Sequence, residues 1–227
     1  MAQCRAYIES QTLSRSTARK VFPSVTISRQ AGAGGLLVAG YFREIMEAQR
    51  KTAGPPWTIF DRALVQQILE DHHLPLSIAK FYPEDVHSDL EGVVGELLGI
   101  QPSSATMVAQ TSHTIIKLAQ KGHAILVGRG GNIIARDLPN VLHVRLVAPL
   151  DFRLEQAKSY YSFSTTEALN YINKADKGRA RYHKRYFNRK IDDPLQYDLV
   201  LNTGSIGFET AAGLIATAVV AWQVSNS

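Results

Sequence analysis

The chain has 227 residues, is 45% hydrophobic and 20% charged, and carries a formal net charge of +5, which suits one ordinary domain with a full buried core. Its lone cysteine, Cys4, excludes an internal disulfide and suits a reducing compartment, so a cytoplasmic location is expected. The basic surplus gathers in Arg5, Arg15, Arg19 and Lys20 and again between Lys174 and Lys190, a local clustering that points to an anionic ligand.

Residues 1–20 read as a polar extension with no apolar signal-peptide core, and 21–227 as a single domain. The first strand is expected at 24–28 ("SVTIS"), followed by a glycine-rich stretch and a helix over 34–50. "TAGPP" at 52–56 turns the chain into a second strand at 57–60 ("WTIF"). Helical periodicity then covers 61–73, 84–98 and 104–121, and Pro83 with Glu84 and Asp85 marks the start of the middle segment. Gly122 supplies a left-handed cap before the strand at 124–128 ("AILVG"). A strand at 141–147 ("VLHVRLV") leads to a helix over 149–160. Ser164 and Glu167 form an S-x-x-E capping box that opens a long basic helix over 165–187. The last strand, 197–203 ("YDLVLNT"), precedes a closing helix over 207–223, whose 14-residue apolar run is too short to span a bilayer.

The strand segments are dense in Val, Ile and Leu without clean alternation, as in strands buried on both faces of a parallel sheet. Strands alternating with helices on long connections specify a doubly wound α/β fold with right-handed crossovers. In such folds ligands bind beyond the carboxyl ends of the strands. The segment "SRQAGAGG" stands there, after the first strand. Gly32, Gly34 and Gly35, with Ala33 between them, let successive backbone N–H groups face a phosphate at the positive end of the next helix. The pattern GxxxxGK[ST] is not met: Arg29 stands at its first glycine, Gly35 at its lysine and Leu36 at its hydroxyl residue. Arg29 is the nearest cation and a candidate bidentate phosphate donor.

The chain resembles the cytidylate kinase-like family, a nucleoside monophosphate kinase branch of the P-loop proteins, from about Ser24 to Ile215. The resemblance rests on "VTISRQAGAGG", "FDRALV", "ILVGRGGNII", "LPNVLHVRLVAPLDFRLEQ", "DKGRARYHKRYF" and "YDLVLNTG". It implies a P-loop-like three-layer fold with about five parallel strands, an NMP-binding segment near 61–105 and a lid near 160–190. It implies ATP and Mg²⁺ as cofactors and a small nucleotide as partner, with transfer of the γ-phosphoryl group to CMP, dCMP or a related acceptor. By resemblance, Gly32, Gly34 and Gly35 wrap the donor phosphates and Gly35 is a trait of the family. Arg129 clamps the acceptor phosphate, and Gly130 replaces the aspartate that helps to read cytosine. Asp176 is a candidate ribose contact, and Arg179 a candidate for the transferring phosphoryl group. Asp61 reads equally as a helix N-cap or, with Arg62, as an acceptor contact. Arg153 reads equally as a phosphate ligand or as a helix-face cation.

Gly178 admits a hinge or break in the basic helix, as lid closure would require. The histidines show no metal spacing and read as structural, and no protein metal site is expected. A different class of function stays open, a nucleotide-binding sensor or scaffold with little catalysis. Nucleic-acid binding through the basic helix is the weaker reading, because Tyr182, Tyr186 and Phe187 at their spacing more often pack than stack on bases. No nucleic-acid or membrane partner is expected.

Overall fold

The computed structural model describes residues 22–50, 55–61, 104–128 and 130–225. The helices expected at 61–73 and 84–98, the start at Pro83, and both Arg62 and Arg129 lie outside the described residues. Five parallel strands form one sheet: β1 (Ser24–Arg29), β2 (Thr58–Phe60), β3 (Ala124–Val127), β4 (Val141–Val147) and β5 (Leu199–Asn202), in the order β2-β3-β1-β4-β5. The described helices are α1 (Gly35–Ala48), α2 (Ser104–Lys121), α3 (Gly131–Ile134), α4 (Leu150–Tyr161), α5 (Thr165–Phe187), α6 (Thr203–Ile206) and α7 (Phe208–Ser225). All five strands therefore appear within a few residues of their expected positions. The two single-turn helices α3 and α6 were not anticipated, because four residues carry no periodicity.

The strand order reverses direction at β1. The chain leaves β1 for the far edge at β2, returns through β3 beside β1, and then builds β4 and β5 on the other side. The crevice at that switch point opens over the carboxyl end of β1.

The two faces of the sheet differ chemically, contrary to the expectation of evenly apolar strands. Val25 and Ile27 of β1, Ile125 and Val127 of β3, and Leu142, Val144 and Leu146 of β4 share one core with Val38, Phe42 and Met46 of α1. Ala211, Ala212, Ile215, Ala216 and Val219 of α7 complete that layer. Small residues at 211, 212 and 216 let α7 approach α1 closely, so the closing apolar run is a core helix. Phe42, Ile27, Ile125 and Ile215 are fully buried, each stabilising by about 1.5–3 kcal/mol.

The other face carries buried Ser24, Thr26, Ser28, His143 and Arg145. Their polar atoms are paired across the strands: Thr26 Oγ1 lies 2.8 Å from His143 Nδ1, and Arg145 Nη1 donates to Ser28 Oγ at 2.9 Å. Ser24 Oγ donates to the Ala119 carbonyl of α2 at 3.0 Å. These bonds offset the cost of burying the groups.

Two local expectations hold in atomic detail. The Ser164–Glu167 capping box is complete at the start of α5, and Gly122 follows α2 with φ of 84°. The break considered at Gly178 is absent: α5 runs unbroken from Thr165 to Phe187.

Candidate functional site

The glycine loop joins β1 to α1 over the carboxyl edge of the sheet and is tied down on several sides. Gln30 N–H donates to the Leu146 carbonyl at 3.0 Å, and Gln30 Oε1 accepts from Ala148 N–H at 3.0 Å. Thr203 Oγ1 lies 3.1 Å from the Ala33 carbonyl. Two positions need glycine for backbone reasons. Gly32 has φ of 78° and an added Cβ would lie 2.6 Å from the Arg153 carbonyl oxygen; Gly34 has φ of 75° and lies directly under the Phe208 ring. Such conformations cost an L side chain roughly 1–2 kcal/mol before any overlap is counted.

Fixing the loop leaves a run of donors unused. The N–H groups of Gly32, Gly34, Gly35, Leu36 and Leu37 make no hydrogen bond among the described residues. Gly34 caps α1 without a side-chain hydrogen bond. The first N–H groups of a helix have no carbonyl behind them and sit at its positive end. The arrangement suits an oxyanion such as a phosphate.

Arg29 runs from the end of β1 across the start of α1. A Cβ on Gly35 would lie 3.0 Å from Arg29 Cγ and 3.2 Å from Cδ, and a side chain on Gly128 would overlap the guanidinium. Glycine at 35, where the common phosphate-loop pattern has lysine, makes room for the stem of Arg29. The cation of this loop therefore enters from the strand.

Asp176 and two arginines brace the other side. Asp176 Oδ1 accepts from Ala31 N–H at 2.7 Å and from Arg179 Nη1 at 3.1 Å, and Oδ2 accepts from Arg153 Nη1 at 2.7 Å. Arg153 Nε also donates to the Ala148 carbonyl at 3.0 Å, and Nη1 lies 3.4 Å from the Ala31 carbonyl. Arg153 is thus an internal brace between α4, the loop and α5, a role the sequence did not suggest. The i,i+3 pairing of Asp176 with Arg179 is present.

Asp61 follows β2 at its carboxyl end. Gly130 caps α3 with φ of 67°, and a Cβ there would come 2.6 Å from a carbon of the Phe187 ring. An aromatic ring from α5 thus stands against the position where the family resemblance placed a cytosine-reading carboxylate.

Sequence reasoning missed a polar cluster around the buried Arg145, His183 and Tyr197, with the exposed Asp192 at its rim. Arg145 donates to Ser28 and, at 2.6 Å, to Asp192 Oδ1. The Tyr197 hydroxyl donates to the Ile191 carbonyl at 2.8 Å. Burial, with the Arg145 charge adding to it, pushes the His183 imidazole down to about 4 against the opposing pull of Asp192. Burial also raises the Tyr197 phenol and lowers His143. The signal available in advance was the alternation in "SVTIS" and "LHVRL", which sets serine, threonine, histidine and arginine on one face.

Among the described residues no three His, Cys, Asp or Glu side chains gather to hold a metal, and no helix is long and apolar enough to cross a membrane.

A sequence model of the cytidylate kinase-like family matches residues 24–205. The cytidylate kinase of Methanosarcina barkeri is 25% identical over 180 residues, covering 79% of this chain and 86% of that protein. A uronate isomerase of Corynebacterium glutamicum is 25% identical over 113 residues, 50% of this chain, and the chain spans only 22% of that protein's length. Among solved structures, an uncharacterized protein from Eubacterium ventriosum superposes with a TM-score of 0.65 at 20% identity, over 87% of this chain and 98% of that one.

Proposed function

Because the chain belongs to the cytidylate kinase-like family, we propose that it is a phosphotransferase moving the γ-phosphoryl group of ATP to CMP, dCMP or a related acceptor. Its five-stranded parallel sheet is of the P-loop NTPase-like α/β type. The observation that carries the proposal is the set of unused N–H groups of Gly32, Gly34, Gly35, Leu36 and Leu37, beside Arg29, at the switch point of the sheet, the Ala33 N–H between them being turned onto the Gln30 carbonyl at 3.2 Å.

In this reading the chain works by position and charge, with no covalent intermediate. The loop N–H groups orient the donor phosphates, and Arg29 and Arg179 offset the charge that builds on the phosphoryl group in transit. Arg129, Asp61 and Arg62 serve the acceptor side by resemblance. A protein-held Mg²⁺ does not fit the described residues. Leu36 stands where a hydroxyl ligand belongs and offers no side-chain oxygen.

That misfit favours one second reading, a nucleotide-binding sensor or scaffold with little turnover. A coupled ADP-release assay over CMP, dCMP, UMP, AMP and non-nucleotide acceptors separates the two. Acceptor-dependent ADP release supports the kinase. Tight ATP binding without release on any acceptor leaves the binding module standing instead. Absence of both ATP and nucleotide binding overturns both readings.

A further inference from the structure

We propose that Asp176 is an internal anion occupying the edge of the phosphate site, and that a ligand phosphate displaces it. This rests on the loop binding phosphate, as argued above, and gives Asp176 a role different from ribose recognition.

Three observations lead there. The carboxylate takes the N–H of Ala31, which belongs to the glycine loop itself and directly precedes Gly32. It also bridges two guanidinium groups that are almost out of water, with side-chain exposures of 11% for Arg153 and 13% for Arg179, while it is itself 30% exposed. One backbone donor and two forked cations around one carboxylate make the environment a phosphate oxygen would seek. The partners also differ in how firmly they are held. Arg153 is fixed by the Ala148 and Ala31 carbonyls and stays when the carboxylate leaves. Arg179 is one helical turn from Asp176 on α5, so a small rotation of either side chain exchanges carboxylate for phosphate at that guanidinium.

A phosphate entering at Gly32 meets the Asp176 charge at close range, and like charges in a half-buried setting repel strongly. The carboxylate thus keeps the unliganded site neutralised and folded at the expense of anion affinity. A ligand can shift this balance only because it binds the carboxylate-displaced arrangement better.

The test compares the parent chain with Asp176→Asn, titrating inorganic pyrophosphate and, separately, ATP by calorimetry, with thermal unfolding alongside. Pyrophosphate lacks a ribose, so a ribose contact would leave its binding unmoved. The expected result is that Asp176→Asn binds pyrophosphate tighter by about tenfold or more, equivalent to about 1.4 kcal/mol. The variant is also less stable without ligand and gains more from it than the parent does. Asp176→Ser, which keeps an acceptor oxygen without the charge, supplies the same comparison if the amide variant does not fold. Pyrophosphate binding that is unchanged or weaker in the variants, while the parent binds ATP, overturns the inference and leaves the phosphate loop intact. Failure of parent and variants to bind either ligand overturns the phosphate-loop reading and this inference with it.

Discussion

Lysine at position 35 is what a common phosphate loop would carry, and installing it tests how this loop is built. The backbone at Gly35 is ordinary first-turn helix, without positive φ. Intrinsic propensity therefore favours Gly35→Lys by about 0.5–1 kcal/mol. Two opposing effects together outweigh this. The new Cβ would sit 3.0 Å from Arg29 Cγ, and moving the arginine off its rotamer costs about 0.5–1.5 kcal/mol. The ammonium would then share a small space with the guanidinium, and two such charges about 4 Å apart repel by about 4 kcal/mol near a protein surface. Partial escape of the flexible lysine into solvent lowers that figure, so we expect a net loss of about 1–3 kcal/mol at low salt, shrinking as salt screens the pair. Urea unfolding of the parent, Gly35→Lys, Arg29→Gln and the double variant, at low and high salt, measures it. The double variant should recover most of the loss, a coupling that a cycle of the four proteins isolates. A Gly35→Lys chain as stable as the parent at low salt, or a double variant whose losses simply add, refutes the placement of Arg29 over Gly35.

The remaining expectations concern α5. His183 is neutral in the folded chain with its imidazole pushed to about 4 from 6.5, so the unfolded chain binds the extra proton between those values. Its neutral form thus contributes stability above about pH 6.5 that is lost as pH falls toward 4, on the order of 3 kcal/mol in full. His183→Phe should flatten the fall in melting temperature between neutral and mildly acidic pH, and an unchanged slope rejects the assignment. Gly130→Asp, which restores the carboxylate of the family pattern, should destabilise by about 1–3 kcal/mol through overlap with Phe187. It should bring no preference for CMP, and adding Phe187→Ala should relieve part of the loss. Equal denaturation midpoints for Gly130→Asp and the parent would show that the ring does not close that position.

The parts of the site that were legible in the sequence are those written in neighbouring residues. The glycine spacing in "SRQAGAGG" announced a loop with unused N–H groups, and Ser164-x-x-Glu167 announced a helix start, because both act within one turn of chain. Arg153 begins α4, and nothing within that helix says that its guanidinium braces Ala31 from 122 residues away. The alternation in β1 and β4 is present in the sequence but masked, since the surrounding Val, Ile and Leu dominate any average over the segment. Gly178 alone suggests a place for α5 to yield, yet the helix is continuous there. A glycine costs only about 1 kcal/mol in a helix, a deficit that the capping box and the anchoring at Asp176 and Phe187 readily offset.

By itself the sequence determined the alternation of strand and helix, the position of the glycine loop after β1 and the boundaries of α5, since each rests on interactions a few residues long. Tertiary structure decided the strand order and the partners of Arg29, Arg153 and Asp176. Those partners lie as many as 145 residues apart along the chain, as Ala31 and Asp176 do. Which charged groups meet depends on how α5 lies across the loop, and that is settled by burial of helix faces that no local pattern encodes.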